Sequence, residues 1–160
     1  MANLDIDRLP EGAGLVAADV VRGASRLLAD LGYGVIPEFV LGSGRRADIA
    51  GLDRRGQLVL VEVKVSLADF RADMKWPEYL DFCDRFFFAV PPDFPRAPVD
   101  GPNALPDRTG LIVADRFGAA IVRPGPVVPM NASRRKAETL RFALSAAARL
   151  HRIADPERGL

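Results

Sequence analysis

Arg45-Arg46-Ala47-Asp48-Ile49-Ala50-Gly51-Leu52, a turn at Asp53-Arg54-Arg55-Gly56, then Gln57-Leu58-Val59-Leu60-Val61-Glu62-Val63-Lys64-Val65 is the stretch on which the fold turns. Leu58–Val65 is almost continuously branched or apolar, the pattern of a central strand covered on both faces. Side chains alternate along a strand, so Leu58, Leu60, Glu62 and Lys64 share one face, and Val59, Val61, Val63 and Val65 the other. Arg54-Arg55-Gly56 suits a three-residue hairpin loop ending in a left-handed glycine. Asp53 then faces Gln57, Leu52 faces Leu58, Ala50 faces Leu60, Asp48 faces Glu62 and Arg46 faces Lys64. An apolar face thus runs into a mouth that holds two carboxylates side by side.

Upstream, Gly42-Ser43-Gly44 reads as a second three-residue loop joining the strand Tyr33–Leu41 to Arg45–Leu52. That count places Glu38 opposite Asp48, so Glu38, Asp48 and Glu62 form a row across three strands, although Pro37 beside Glu38 belongs on an edge or at a bulge. Before it, Val16, Val20, Ala24, Leu27 and Leu31 recur at helical spacing, predicting an amphipathic helix over 15–31. Downstream, Ser66 caps a helix whose inner residues are Leu67, Phe70 and Met74, with Asp69 in a loose capping box. Pro77 opens a second helical segment, and Arg85–Val90 is a strand. Residues 91–106 hold six prolines and read as an extended connection. A hairpin follows (111–114 and 119–123), then a helix over 132–153. The order predicts an α/β fold: an αβββαβ core with a mixed central sheet flanked by helices, plus an added β-hairpin and a C-terminal helix. The organisation expected is a lead-in at 1–13, one domain over 14–153 and a tail at 154–160.

Like charges opposite one another in a sheet cost roughly 0.2–1 kcal/mol when exposed, and several kcal/mol per ion when buried without a partner. Two solutions remain open for Asp48 and Glu62. Arg46 and Lys64 balance their charge, forming a self-contained ion cluster, or an oxygen-ligated divalent cation does so.

Composition narrows the chemistry. The 160 residues carry 22 Lys+Arg against 21 Asp+Glu, so the chain is not globally basic. Cys83 and His151 stand alone, which excludes an internal disulfide, a Cys-rich zinc site and a cluster of histidine ligands. Carboxylates and lysines must therefore carry any catalysis. The apolar stretches are too short to cross a bilayer, and the acidic start Met1-Ala2-Asn3-Leu4-Asp5 is unlike a signal peptide; the expected location is cytoplasmic.

Ala47-Asp48, thirteen intervening residues and Glu62-Val63-Lys64 resemble the PD-(D/E)xK nuclease signature, with Ala47 where a proline is usual. The wider series is similar to the MmcB-like DNA-repair proteins of bacteria over about residues 15–150: Gly44–Asp48, Val61–Ser66, Asp69-Phe70, Asp73-Met74-Lys75-Trp76, Tyr79, Cys83-Asp84 and Phe88–Pro91. The resemblance implies a metal-dependent DNA endonuclease. Asp48, Glu62 and the Val63 backbone carbonyl would hold Mg²⁺ or Mn²⁺, with Glu38 as a further candidate ligand, and Lys64 would orient the attacking water. It also implies DNA as partner, a homodimer that reaches both strands, and no membrane. The rival is a DNA-binding repair factor of the same fold that does not cleave; a purely structural or protein-interaction domain leaves the carboxylates unexplained.

Arg45, Arg46, Lys75, Tyr79, Arg134, Arg135 and Lys136 are candidate DNA contacts. The last thirty residues hold seven basic and three acidic residues, which phosphate contact or a solvated helix face would equally explain. Lys75 and Tyr79 read slightly better as a solvated lysine and a packing tyrosine. Trp76 reads more readily as packing than as a base stack, and Cys83 as a small core residue. Phe142, Leu144, Ala148 and Leu150 are expected to pack the last helix on the domain or on a twin subunit.

Overall fold

In the computed structural model, which describes residues 13–159, the central hairpin has the expected register. Strand β2 (Arg46–Leu52) pairs antiparallel with β3 (Leu58–Val63), Leu52 opposite Leu58 and Ala50 opposite Leu60. Gly56 closes the turn by donating its N–H to the Asp53 carbonyl, at φ +80°, a conformation that costs glycine little. Strand β1 (Gly34–Val40) lies antiparallel on the other side of β2, Ile36 opposite Ala50 and Phe39 opposite Ala47. It forms the sheet edge, where Pro37 is tolerated.

Strands β4 (Arg85–Val90), β5 (Gly110–Ala114) and β6 (Ala119–Arg123) extend the sheet in chain order. The β3–β4 and β4–β5 pairs are parallel and β5–β6 is antiparallel, giving an open, mixed, six-stranded sheet. Parallel neighbours require crossovers. The first uses helix α2 (Leu67–Ala72) and a 3-10 helix, Trp76–Phe82. The second is the proline-rich segment, and here the expectation of an extended connection is corrected. It contains a short helix, α3 (Arg96–Asp100), and a 3-10 turn, Pro102–Ala104. Pro95, Pro98 and Pro102 sit before or within first turns, where a missing N–H is harmless, and Val99 and Ala104 are buried.

Helix α1 (named from the N-terminus, Ala13–Asp30) covers one face of the sheet. Its buried stripe is Ala17, Val20, Ala24 and Leu28, while Val16 and Leu31 are exposed; the apolar face is rotated from the one predicted. Gly23 is indispensable to the approach, because a Cβ there would lie 2.1 Å from the Asp115 carbonyl oxygen in the β5–β6 turn. The other face carries Leu58, Leu60, Phe86 and Phe88 beneath α2, the 3-10 helix and α4 (Ala132–Ala154). Ser66 caps α2 by accepting the Asp69 N–H, as its sequence requires. Met74, expected inside, is exposed because the helix stops at Ala72 and the chain turns at Asp73.

Of the expected lead-in, residues 1–12 lie outside the described residues. At the other end a 3-10 turn, Pro156–Gly159, follows α4 where a tail was expected. Among the described residues, no helix is long and apolar enough to cross a membrane.

Candidate metal centre

Strand β3 ends at Val63 in the middle of the sheet, beside the parallel strand β4. Two acidic side chains interlock there. The Asp48 Oδ2 accepts the Val63 N–H at 2.7 Å, and the Glu62 Oε1 accepts the Asp48 N–H at 3.3 Å. Each carboxylate is therefore fixed by the neighbouring strand through one oxygen. No hydrogen bond among the described residues reaches Asp48 Oδ1 or Glu62 Oε2, and neither atom is sealed from solvent.

This placement is electrostatically costly. Burial, opposed in part by the Val63 N–H and the Lys64 charge, pushes Asp48 up to about 6. Burial and the adjacent Asp48 charge push Glu62 well above the usual carboxylate range. Neither acid takes part in an ion pair within 4.0 Å among the described residues. The self-contained ion cluster with Arg46 and Lys64 does not form.

Lys64 is committed elsewhere. Its buried Nζ lies 2.6 Å from Asp73 Oδ2 and 3.9 Å from Asp69 Oδ1. Burial disfavours its charge, but Asp69, Asp73 and Glu62 outweigh that and raise its pKa. Burial also opposes the Asp73 charge, yet Lys64 and the N–H groups of Lys75 and Trp76 bring that carboxyl below its ordinary value. Sequence spacing alone does not show this pairing. One signal was visible: an aspartate three residues before Trp76 is an N-cap pattern, and Asp73 Oδ1 does accept the N–H groups of Lys75 and Trp76. Trp76 is anchored by stacking on Phe86 at 5.4 Å and meeting Phe88 edge-on at 4.8 Å. That aromatic floor sets where Asp73 falls.

The remaining expected residues divide sharply. Glu38 occupies the register position facing Asp48, but its backbone is left-handed (φ 50°), it interrupts the β1–β2 pairing and its side chain is exposed. The described residues contain no group of three or more acidic, histidine or cysteine side chains placed to hold a metal. The three-carboxylate row is thus corrected to a pair. Tyr79 is buried and donates its hydroxyl to the Arg46 carbonyl at 2.9 Å. Trp76 is likewise core, and so is Cys83, whose thiol donates to the Tyr79 carbonyl. Arg135 is also corrected: it forms a bidentate pair with buried Asp84 and donates to the Gly56 carbonyl, so it braces the fold. Arg134 lies over the Phe82 ring and donates to the Asp81 carbonyl. Arg45 pairs with Glu78 at the surface. Arg46 is half-buried, and Lys75 and Lys136 are exposed.

Two neighbouring carboxylates, each with one oxygen free of hydrogen bonds and without a basic partner among the described residues, suit Mg²⁺ or Mn²⁺, because Mg²⁺ retains several waters and needs few protein ligands. Asp48 and Glu62 fit such an ion.

Residues 3–157 match the family model for DNA repair protein MmcB-like. The chain belongs to this family. A solved structure of a protein of unknown function from Silicibacter pomeroyi is similar at 40% identity, over 88% of this chain and 92% of that chain, with a TM-score of 0.79. None of the curated proteins matches. The family places the chain in DNA repair and points to DNA as its partner.

Proposed function

We propose that the chain is a metal-dependent endodeoxyribonuclease of the PD-(D/E)xK type, acting in DNA repair. The observation that carries this reading is the pair of half-buried Asp48 and buried Glu62, cross-bonded to each other's strands and without a basic partner among the described residues. Asp48 and Glu62 would hold Mg²⁺ or Mn²⁺, with the Val63 carbonyl completing the protein's share of the ligands. The bound ion supplies water activation and neutralises charge on the phosphate. Lys64 contributes a fixed ammonium one residue beyond the Val63 carbonyl, a compact charge suited to a phosphate oxygen or to orienting water. Arg46 and Lys75, whose side-chain nitrogens have no hydrogen-bond partner among the described residues, are the nearest candidates for contacting the DNA backbone. A second copy of the chain belongs to this reading, since cutting both strands takes two such centres.

The alternative, a repair factor that binds DNA without cutting it, is favoured by one specific feature. Lys64 is drawn to Asp73 at 2.6 Å and makes no ion pair with Asp48 or Glu62. The two readings separate when supercoiled, linear, single-stranded and branched DNA are incubated with Mn²⁺ or Mg²⁺. The nuclease reading expects cutting that requires metal and is lost in Asp48→Asn, Glu62→Gln and Lys64→Ala. Binding of DNA with no cutting of any substrate overturns it in favour of the alternative.

A further inference from the structure

Helix α4 faces the body of the protein with one side. Arg135 reaches Asp84, Glu138 accepts the Gly42 N–H at 3.0 Å, Phe142 packs on Phe39 at 5.7 Å, and Arg149 donates to the Pro37 and Glu38 carbonyls. On the opposite side Ala137, Leu140, Leu144, Ala147, His151 and Ala154 recur at spacings of three and four, and all are exposed. Leu140 is 55% exposed and Leu144 71%. Leu144, expected to pack on the domain or on a twin subunit, belongs to this outer seam. Such a repeat is the signature of a helix that packs against another helix, and contiguous apolar surface of this kind marks an interaction site.

A groove of about 500 Å³ runs between this seam and the edge of β1, lined by Val40, Ala137, Leu140, Arg141, Leu144 and Ser145. Ala137, Leu140, Arg141 and Leu144 stand at positions i, i+3, i+4 and i+7, the four residues that form a hole for a knob from a facing helix.

We infer that α4 pairs antiparallel with α4 of a second copy of the chain, across a two-fold axis near Ser145 and Ala146. Side-chain size singles out this occupant. With the axis there, Leu144 lies opposite Ala147, Leu140 opposite His151 and Ala137 opposite Ala154, so no two leucines of the seam collide. Charge agrees. The first turns of α4 carry Arg134, Arg135 and Lys136, and around its end Asp155 and Glu157 offset Arg152 and Arg158. With this axis Lys136 stands opposite Asp155 and Arg134 opposite Glu157, whereas a parallel pair sets the two basic starts side by side. The same surface serves both partners, as a two-fold interface requires. The inference stands independently of whether the Asp48–Glu62 centre cuts DNA.

Sedimentation equilibrium of the full chain tests it. A concentration-dependent dimer is expected, and Leu144→Glu should convert it to a monomer with the same melting temperature and helix content. Lys136→Glu should raise the dimer dissociation constant by about tenfold, and adding Asp155→Lys in the same chain should restore it. A monomer at every concentration up to the solubility limit overturns the inference. So does a dimer indifferent to Leu144→Glu, or a charge swap that fails to restore association. Loss of DNA binding in Leu144→Glu without a change of mass would assign the seam to DNA and overturn it as well.

Discussion

Strand β3 has a buried acid at each end, and the two ends are chemical opposites. At its start, the Asp84 carboxylate accepts the N–H groups of Leu58 and Met130, each at 2.9 Å, and the guanidinium of Arg135. Burial opposes its charge, but Arg135 and these N–H groups hold it below the usual carboxylate range. At the far end, Asp48 and Glu62 each receive one backbone N–H, face each other and have no basic partner among the described residues; both lie above that range. Both ends are buried, so burial alone does not set the charge. The partner does. The first end is a closed joint between β3, the segment leading to α4, and α4 itself, while the second is a pair of carboxylates with no basic partner among the described residues.

The largest expected effect breaks the closed joint. Asp84→Ala leaves the Leu58 and Met130 N–H groups buried without an acceptor, each costing about 1–3 kcal/mol. Urea denaturation should show a loss of about 3–5 kcal/mol, and a loss below about 1 kcal/mol would erase the contrast. Glu62→Gln, by comparison, removes a charge that burial disfavours and should leave the metal-free protein as stable or more so. If it destabilises to the extent Asp84→Ala does, the mouth is a structural joint too.

Next in size is the response to metal. Mn²⁺ at a hundred times its dissociation constant should stabilise the wild type by about 2.7 kcal/mol, read as an upward shift in melting temperature. Glu62→Gln and Asp48→Asn should lose the shift, whereas Arg135→Ala should lower the melting temperature and keep it. An unshifted wild type at millimolar Mn²⁺ removes the reason for regarding the mouth as a cation site.

How far this contrast could be read beforehand depends on the range of the interactions. The register that brings Asp48 to Glu62 is local: Arg54-Arg55-Gly56 fixes the turn, and the alternation of side chains does the rest. The roles of Arg135 and Lys64 are not local. Arg135 reads as part of a basic run until the fold brings it to Asp84, fifty-one residues away. Lys64 reads as a partner for Glu62 until Trp76, packed on Phe86, draws Asp73 in beneath it. Glu38 shows a third way in which pattern fails. Its register position is as counted, but its left-handed backbone, against which Arg149 donates to the carbonyl, breaks the alternation that would have aimed the carboxylate inward. Rotation of α1's stripe is a smaller miss of the same origin, since Val16 and Leu31 are as apolar as the residues that are buried and the sheet selects among them.

Asp73 sharpens the comparison further, because it holds the lysine that the mouth lacks. Asp73→Asn keeps the caps on Lys75 and Trp76 while weakening the hold on Lys64. It should cost about 1–2 kcal/mol of stability. On the nuclease reading its cutting rate should change with Lys64 freed, whereas a protein that only binds DNA should show the stability loss alone.

The smallest effect is the slope of stability against pH, where the two ends of β3 must disagree in sign. Asp84 has a folded pKa below its unfolded value of about 3.9, so its contribution is present above about pH 4 and is lost as pH falls through the folded value. Asp48 is raised to about 6. Between about pH 4 and about pH 6 the folded state binds a proton that the unfolded state has released, so stability from this residue falls as pH rises through that window. In metal-free protein, Asp48→Asn should therefore remove a decline in melting temperature between about pH 4 and about pH 6, and Asp84→Asn should not. Saturating Mn²⁺ replaces that proton, so the apparent affinity for metal should climb over the same window and then level. A metal affinity independent of pH across it would mean that the ion does not sit between these two carboxylates.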